Sequence, residues 1–98
     1  MSRQLSVHEA AEAELNEAAE FYDFRSSGLG TAFIDEVQRA FEVILEFPEA
    51  SPLTRGRVRK KGPIKFPYSL LYWVRPNEVR ILAVAHQRRR PFYWRGRR

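Results

Sequence analysis

The chain of 98 residues has no cysteine and only two histidines, His8 and His86, which rules out disulfides, thiolate metal sites and a cysteine nucleophile. Neither imidazole has neighbours at metal-ligand spacing, so the expectation is a protein with no metal and no cofactor. Any chemistry must then come from arginine, lysine, histidine, tyrosine and carboxylates. Two stretches concentrate these types: Arg57-Val58-Arg59-Lys60-Lys61, and the segment from His86 through Arg88, Arg89, Arg90, Phe92, Tyr93 and Trp94 to Arg98. Cations interleaved with three consecutive aromatics suit phosphate contacts and base stacking. They equally suit a tail packed over a sheet edge, with Phe92 and Trp94 as apolar anchors and the arginines solvated. His86 carries the side-chain type best fitted to proton exchange at neutral pH, or it can be a strand-end ring held by a neighbouring backbone group. Tyr93 can position a proton or simply pack with its hydroxyl satisfied.

Charge is divided sharply along the chain. Residues 1–54 hold three basic and eleven acidic residues, whereas residues 55–98 hold fourteen basic residues and one acid, Glu78, giving −8 and +13 for a net +5. A chain this short is expected to form one domain over residues 1–98, so the split should become an electropositive surface on an acidic scaffold. Such a surface attracts a polyanion or an acidic protein segment. No apolar run approaches the roughly 18 residues of a membrane span, and Met1–Val7 lacks the apolar centre of a leader, so a cytoplasmic location without a membrane partner is expected.

The elements that must position these groups follow from periodicity. Arg3–Val7 alternates polar and apolar residues as a short strand does, and Ser6 with Glu9 fits a capping box at a helix start. Ala11, Leu15, Ala18 and Tyr22 then mark one face of a helix over about residues 8–25. After the turn residues Ser26 to Gly30, where Gly30 or Thr31 could cap, Phe33, Val37, Ala40, Ile44 and Phe47 mark a second helix that Pro48 ends. The pattern then changes to period two, with strands around Val58, over Tyr68–Val74 and over Val79–Ala85, the last pair joined by a tight turn at Pro76-Asn77. The order predicts an α+β fold, β-α-α-β-β-β, in which an antiparallel helical hairpin packs on one face of a mainly antiparallel β-sheet.

Strict alternation in the last strand sends Val79, Ile81, Ala83 and Ala85 toward the helices and Arg80, Leu82, Val84 and His86 away from them. If Val58 also faces the helices, Arg57, Arg59 and Lys61 join Arg80 and His86 on the uncovered face, in a mixed surface open to phosphates or carboxylates.

The set Ala11…Glu14-Leu15…Phe21-Tyr22, Phe47-Pro48, Val58-Arg59, Phe66-Pro67-Tyr68…Leu71-Tyr72 and Ile81 to His86-x-x-Arg89-x-Pro91-x-Tyr93-Trp94, in this order, resembles the RelE/ParE toxins over nearly the whole chain. The resemblance implies the toxin half of a bacterial type II toxin–antitoxin pair, growth-inhibiting and neutralised by a cognate antitoxin in a hetero-oligomer. RelE-like members cut messenger RNA on the ribosome without a metal; ParE-like members poison DNA gyrase. The ending from His86 to Trp94 looks more like the ParE branch, and Tyr68–Val74 lacks the dense cations that the nuclease branch would place on its central strands. In a nuclease, the resemblance would give Arg59 and Arg80 the charge at the phosphate and His86 and Tyr93 the proton transfers. In either branch, Arg57, Arg59, Lys61, Arg80, Arg88, Arg89, Arg90 and Trp94 are the candidates for binding a target or the antitoxin, whose expected contribution is an acidic, amphipathic segment.

Overall fold

Residues 3–98 are described by a computed structural model. The elements are β1 (Gln4–Val7), α1 (Glu9–Arg25), α2 (Leu29–Glu46), β2 (Leu53–Arg55), β3 (Val58–Lys61), β4 (Tyr68–Val74) and β5 (Glu78–His86). They form a five-stranded sheet in the order β1-β5-β4-β3-β2, with β1 parallel to β5 and every other pair antiparallel. This is the expected α+β architecture with one strand added. Leu53–Arg55 pairs with β3 as a short hairpin in what reads from sequence as loop, because three residues are too few to show a period.

Local signals differ at both helix starts. Ser6 is part of β1 and donates from its hydroxyl to Glu78 Oε2 at 2.7 Å, so the capping box does not form; His8 caps α1 instead, its Nδ1 accepting from Ala10 N at 3.0 Å. Gly28, not Gly30 or Thr31, caps α2, in a left-handed conformation with φ 88°. Gly30 has a different task. The two helices approach so closely there that a Cβ would strike the Ala19 carbonyl and lie 2.7 Å from the Asp23 carboxyl carbon, and that carboxylate accepts from Gly30 N at 2.8 Å.

The helical hairpin covers one face of the sheet. Alanines 11, 18 and 19 of α1 and Phe33, Val37 and Ile44 of α2 bury against Leu70 and Tyr72 of β4 and Val79, Ile81 and Val84 of β5. At one end Tyr22, Phe33, Phe66 and Tyr68 pack ring against ring, with centroids 5.0–5.4 Å apart for Tyr22–Phe33, Tyr22–Phe66, Phe33–Phe66 and Phe33–Tyr68. The Pro76-Asn77 turn closes as expected, with Arg75 N donating to Glu78 O at 2.8 Å.

A bulge resets the pleat of β5. Leu71 pairs with Ala83 but Tyr72 pairs with Ile81, so Leu82 is an extra residue and alternation changes phase there. Val79 and Ile81 face the helices as expected, but so do Val84 and His86, while Ala83 and Ala85 face away and join Leu71 and Trp94 in a second apolar cluster. In β3, Val58 pairs with Trp73 and belongs to this second cluster, whereas Arg59 and Lys61 pair with the helix-facing Tyr72 and Leu70. The expected single cationic face therefore does not exist. Arg80 lies on the helix-free side, and Arg59, Lys61 and His86 on the other.

Candidate functional site

The tail from Gln87 onward turns back across the helix-free face. Trp94 is buried against Leu71, Ala83 and Ala85, with Val58, Phe92 and Tyr93 packed around it. Phe92 reaches this position with φ 60°, its ring edge-on to Trp94 at 5.9 Å and under the Arg55 guanidinium at 4.9 Å.

The tail is fastened at a gap in the sheet. β1 ends at Val7 opposite Ile81, and His8 N donates to Ile81 O, so the outer edge of β5 beyond Ile81 has no neighbouring strand. Glu14 of α1 fills the gap. Its Oε1 accepts from Val84 N at 3.0 Å, its Oε2 accepts from the Tyr93 hydroxyl at 2.8 Å, and both oxygens take the Arg97 guanidinium at 3.0 Å. Arg97 also donates to Leu82 O at 3.0 Å, and Arg89 stands 3.9 Å from Glu14 with its guanidinium over the Tyr93 ring at 3.8 Å. One carboxylate thus satisfies the open strand edge and holds the tail.

This arrangement decides what Tyr93 can do. Burial first, and then donation to Glu14, push its phenol well above the ordinary tyrosine value. At neutral pH it is neutral and its proton is engaged by a carboxylate, which leaves it no lone ability to act as a base.

Beside it lies a cavity of about 200 Å³ bordered by His86, Tyr93 and Trp94 with Lys60, Arg89 and Arg90. The structure therefore brings His86, Tyr93, Arg89, Arg90 and Trp94 to one place. It does not bring Arg57, Arg59, Lys61 or Arg80 there. Arg59 Nη1 donates to Glu49 O at 3.1 Å and Ser51 O at 2.7 Å, tying the loop after α2 to the sheet, as does the Tyr72 hydroxyl on Pro48 O at 2.8 Å. Arg80 Nη2 donates to Arg98 O at 3.3 Å, across the sheet from His86. His86 sits edge-on to Tyr68 at 5.0 Å, and its Nδ1 accepts from Arg88 N at 3.0 Å. Arg88 is exposed, and Arg57 lies in the β2–β3 turn by a separate cavity with Trp73 and Trp94. Of the four groups that a nuclease would converge on a phosphorane, His86 and Tyr93 thus share one cavity, while Arg59 and Arg80 lie on opposite faces of the sheet and outside it. No cluster of three or more histidine, aspartate or glutamate side chains able to hold a metal occurs among the described residues.

Sequence reasoning missed Glu14 as the organiser of the tail. Its signal was present: with Ala11 and Ala18 at i−3 and i+4 it lies in the apolar stripe of α1, where a carboxylate needs buried donors.

Comparison with known proteins bears on the family and the fold. The model of a family described as the ParE toxin of the type II toxin–antitoxin system parDE matches residues 5–91. Among solved structures, a chain of the chromosomal ParDE TA system from P. aeruginosa superposes with a TM-score of 0.75 at 15% identity, covering 87% of this chain and 96% of that one. No curated protein matches the sequence.

Proposed function

Since the chain belongs to the ParE toxin family of type II toxin–antitoxin systems, we propose that it arrests growth by binding DNA gyrase and stabilising its cleaved DNA complex, without a catalytic group of its own. The observation that carries this reading is that Arg59 and Arg80 lie on opposite faces of the sheet, away from the cavity that His86 and Tyr93 share. Arg59 and Arg80 are bonded to backbone carbonyls, the His86 Nδ1 is occupied by a backbone N–H, and the Tyr93 proton is given to Glu14. General acid–base cleavage of RNA needs a free proton donor and cations at the phosphate, and an engaged Tyr93 proton with Arg59 and Arg80 held elsewhere speaks against the RelE-like alternative.

Membership of the family implies a cognate antitoxin. Its neutralising segment is acidic and amphipathic in this reading. Val43, Phe47 and Leu53 are exposed around the end of α2 and the edge strand β2, near the cations of the β2–β3 hairpin, and offer apolar seats beside positive charge. Among the described residues no helix is long and apolar enough to cross a membrane.

Incubating the purified protein with gyrase and supercoiled plasmid should accumulate cleaved DNA. Unchanged cleavage and supercoiling at micromolar protein overturn the proposal. His86→Ala should leave growth inhibition intact; loss of toxicity together with loss of messenger-RNA cleavage in expressing cells would establish the nuclease instead.

A further inference from the structure

Both tryptophans of the chain, Trp73 and Trp94, line one cavity on the helix-free face, about 300 Å³ in volume. Arg55, Arg57, Arg95 and Arg97 complete much of its wall. Arg97 is committed to Glu14 and Leu82, and Arg55 lies over the Phe92 ring. Arg55, Arg57 and Arg95 are exposed, and among the described residues none of the three pairs with a carboxylate. Glu78, the one acid of residues 55–98, is turned to Ser6 and Arg75. Trp94 is only 6% exposed, so the cavity presents chiefly the half-buried Trp73 indole, with Arg75 over its ring at 4.3 Å, beside positive charge on Arg55, Arg57 and Arg95 that the protein itself does not neutralise.

A ligand that satisfies both features must carry a flat apolar ring and a negative charge within one short unit. An acidic peptide carries its charge and any aromatic ring on separate residues, and a duplex keeps its bases stacked on each other. We propose that this cavity binds one nucleotide of a single-stranded nucleic acid, its base against the Trp73 indole and its phosphates on the guanidinium rim of Arg55, Arg57 and Arg95. The inference goes beyond the gyrase reading and stands or falls separately from it.

Trp73 lines this cavity and not the one beside His86, which Trp94 also borders, so the Trp73 share of the fluorescence, lost in Trp73→Leu, reports on this cavity. Titrating the full chain with a short oligothymidylate should quench that emission, whereas polyglutamate of similar charge should bind more weakly and leave it unchanged. Arg57→Ala with Arg95→Ala, both at exposed positions, should lower the slope of log affinity against log salt by about 1.4, the value for two lost single-strand phosphate contacts. Trp73→Leu should weaken oligothymidylate about ten-fold while leaving inorganic polyphosphate binding unchanged. If Trp73→Leu does not fold, the arginine pair alone carries the test. Oligothymidylate binding without quenching, equal or tighter binding of polyglutamate, or an unaltered salt slope in the arginine variant overturns the proposal.

Discussion

Glu14 illustrates how one side chain can set the chemistry of another 79 positions away. Its carboxylate engages Val84 N, Tyr93 and Arg97, so its removal leaves a strand N–H, a phenol and a guanidinium without their acceptor. Leaving such half-buried donors unpaired costs about 1–3 kcal/mol. Glu14→Ala should therefore lower the midpoint of thermal unfolding and loosen the tail, and Glu14→Gln, which keeps one acceptor oxygen, should do so less; equal melting of both variants and the parent would show that the contacts contribute nothing. A pH dependence belongs to the same contact. Tyr93 is raised by burial and by its bond to Glu14, and Tyr22 and Tyr68 are raised by burial. A phenol that keeps its proton longer in the folded than in the unfolded chain contributes stability that is complete below about pH 10, the ordinary tyrosine value, and is lost as pH rises past it. Resistance to denaturant should thus fall above about pH 10, and Tyr93→Phe should flatten that decline, with superimposable alkaline profiles refuting the link.

Among the elements, the helices were legible because Phe33, Val37, Ala40 and Ile44 repeat at 3.6-residue spacing, and β4 and β5 because they are long apolar runs between turn residues. The same apolarity hid the bulge. In Ile81-Leu82-Ala83-Val84-Ala85 every residue is apolar, so nothing in the sequence marks the point at which the pleat changes phase; strict alternation puts Arg80 and His86 on one face, and the extra Leu82 sends them to two. The tail was legible as a site of cations and aromatics, but its fastening was not, since Glu14 and Arg97 meet only through tertiary folding. At the helix crossing, Gly30 admits the backbone of α1 where any Cβ collides with Ala19 and Asp23. Gly30→Ala should destabilise the fold by about 1–3 kcal/mol, the usual consequence of overpacking, despite alanine's better helix propensity. A melting temperature equal to or above that of the parent would contradict the close approach.

At the scale of the molecule, the layers divide the charge. The helical layer carries most of the acids, and the sheet with its tail carries the cations. An acidic antitoxin segment drawn to the second layer should lose affinity steadily as salt rises, because at about 1 M salt the screening length falls to ~3 Å. Binding measured by calorimetry that is as tight at high salt as at low salt would remove the electrostatic part of that interaction.

The parallel pairing of β1 with β5 sets the order in which the molecule can assemble. β1 leaves the ribosome first, yet its sheet partner, Glu78–Ile81, follows about seventy residues later. Until that strand emerges, the N-terminal strand has nothing to pair with and the alanine face of α1 has no sheet to cover. The growing chain consequently stays without its finished core until β5 has been made.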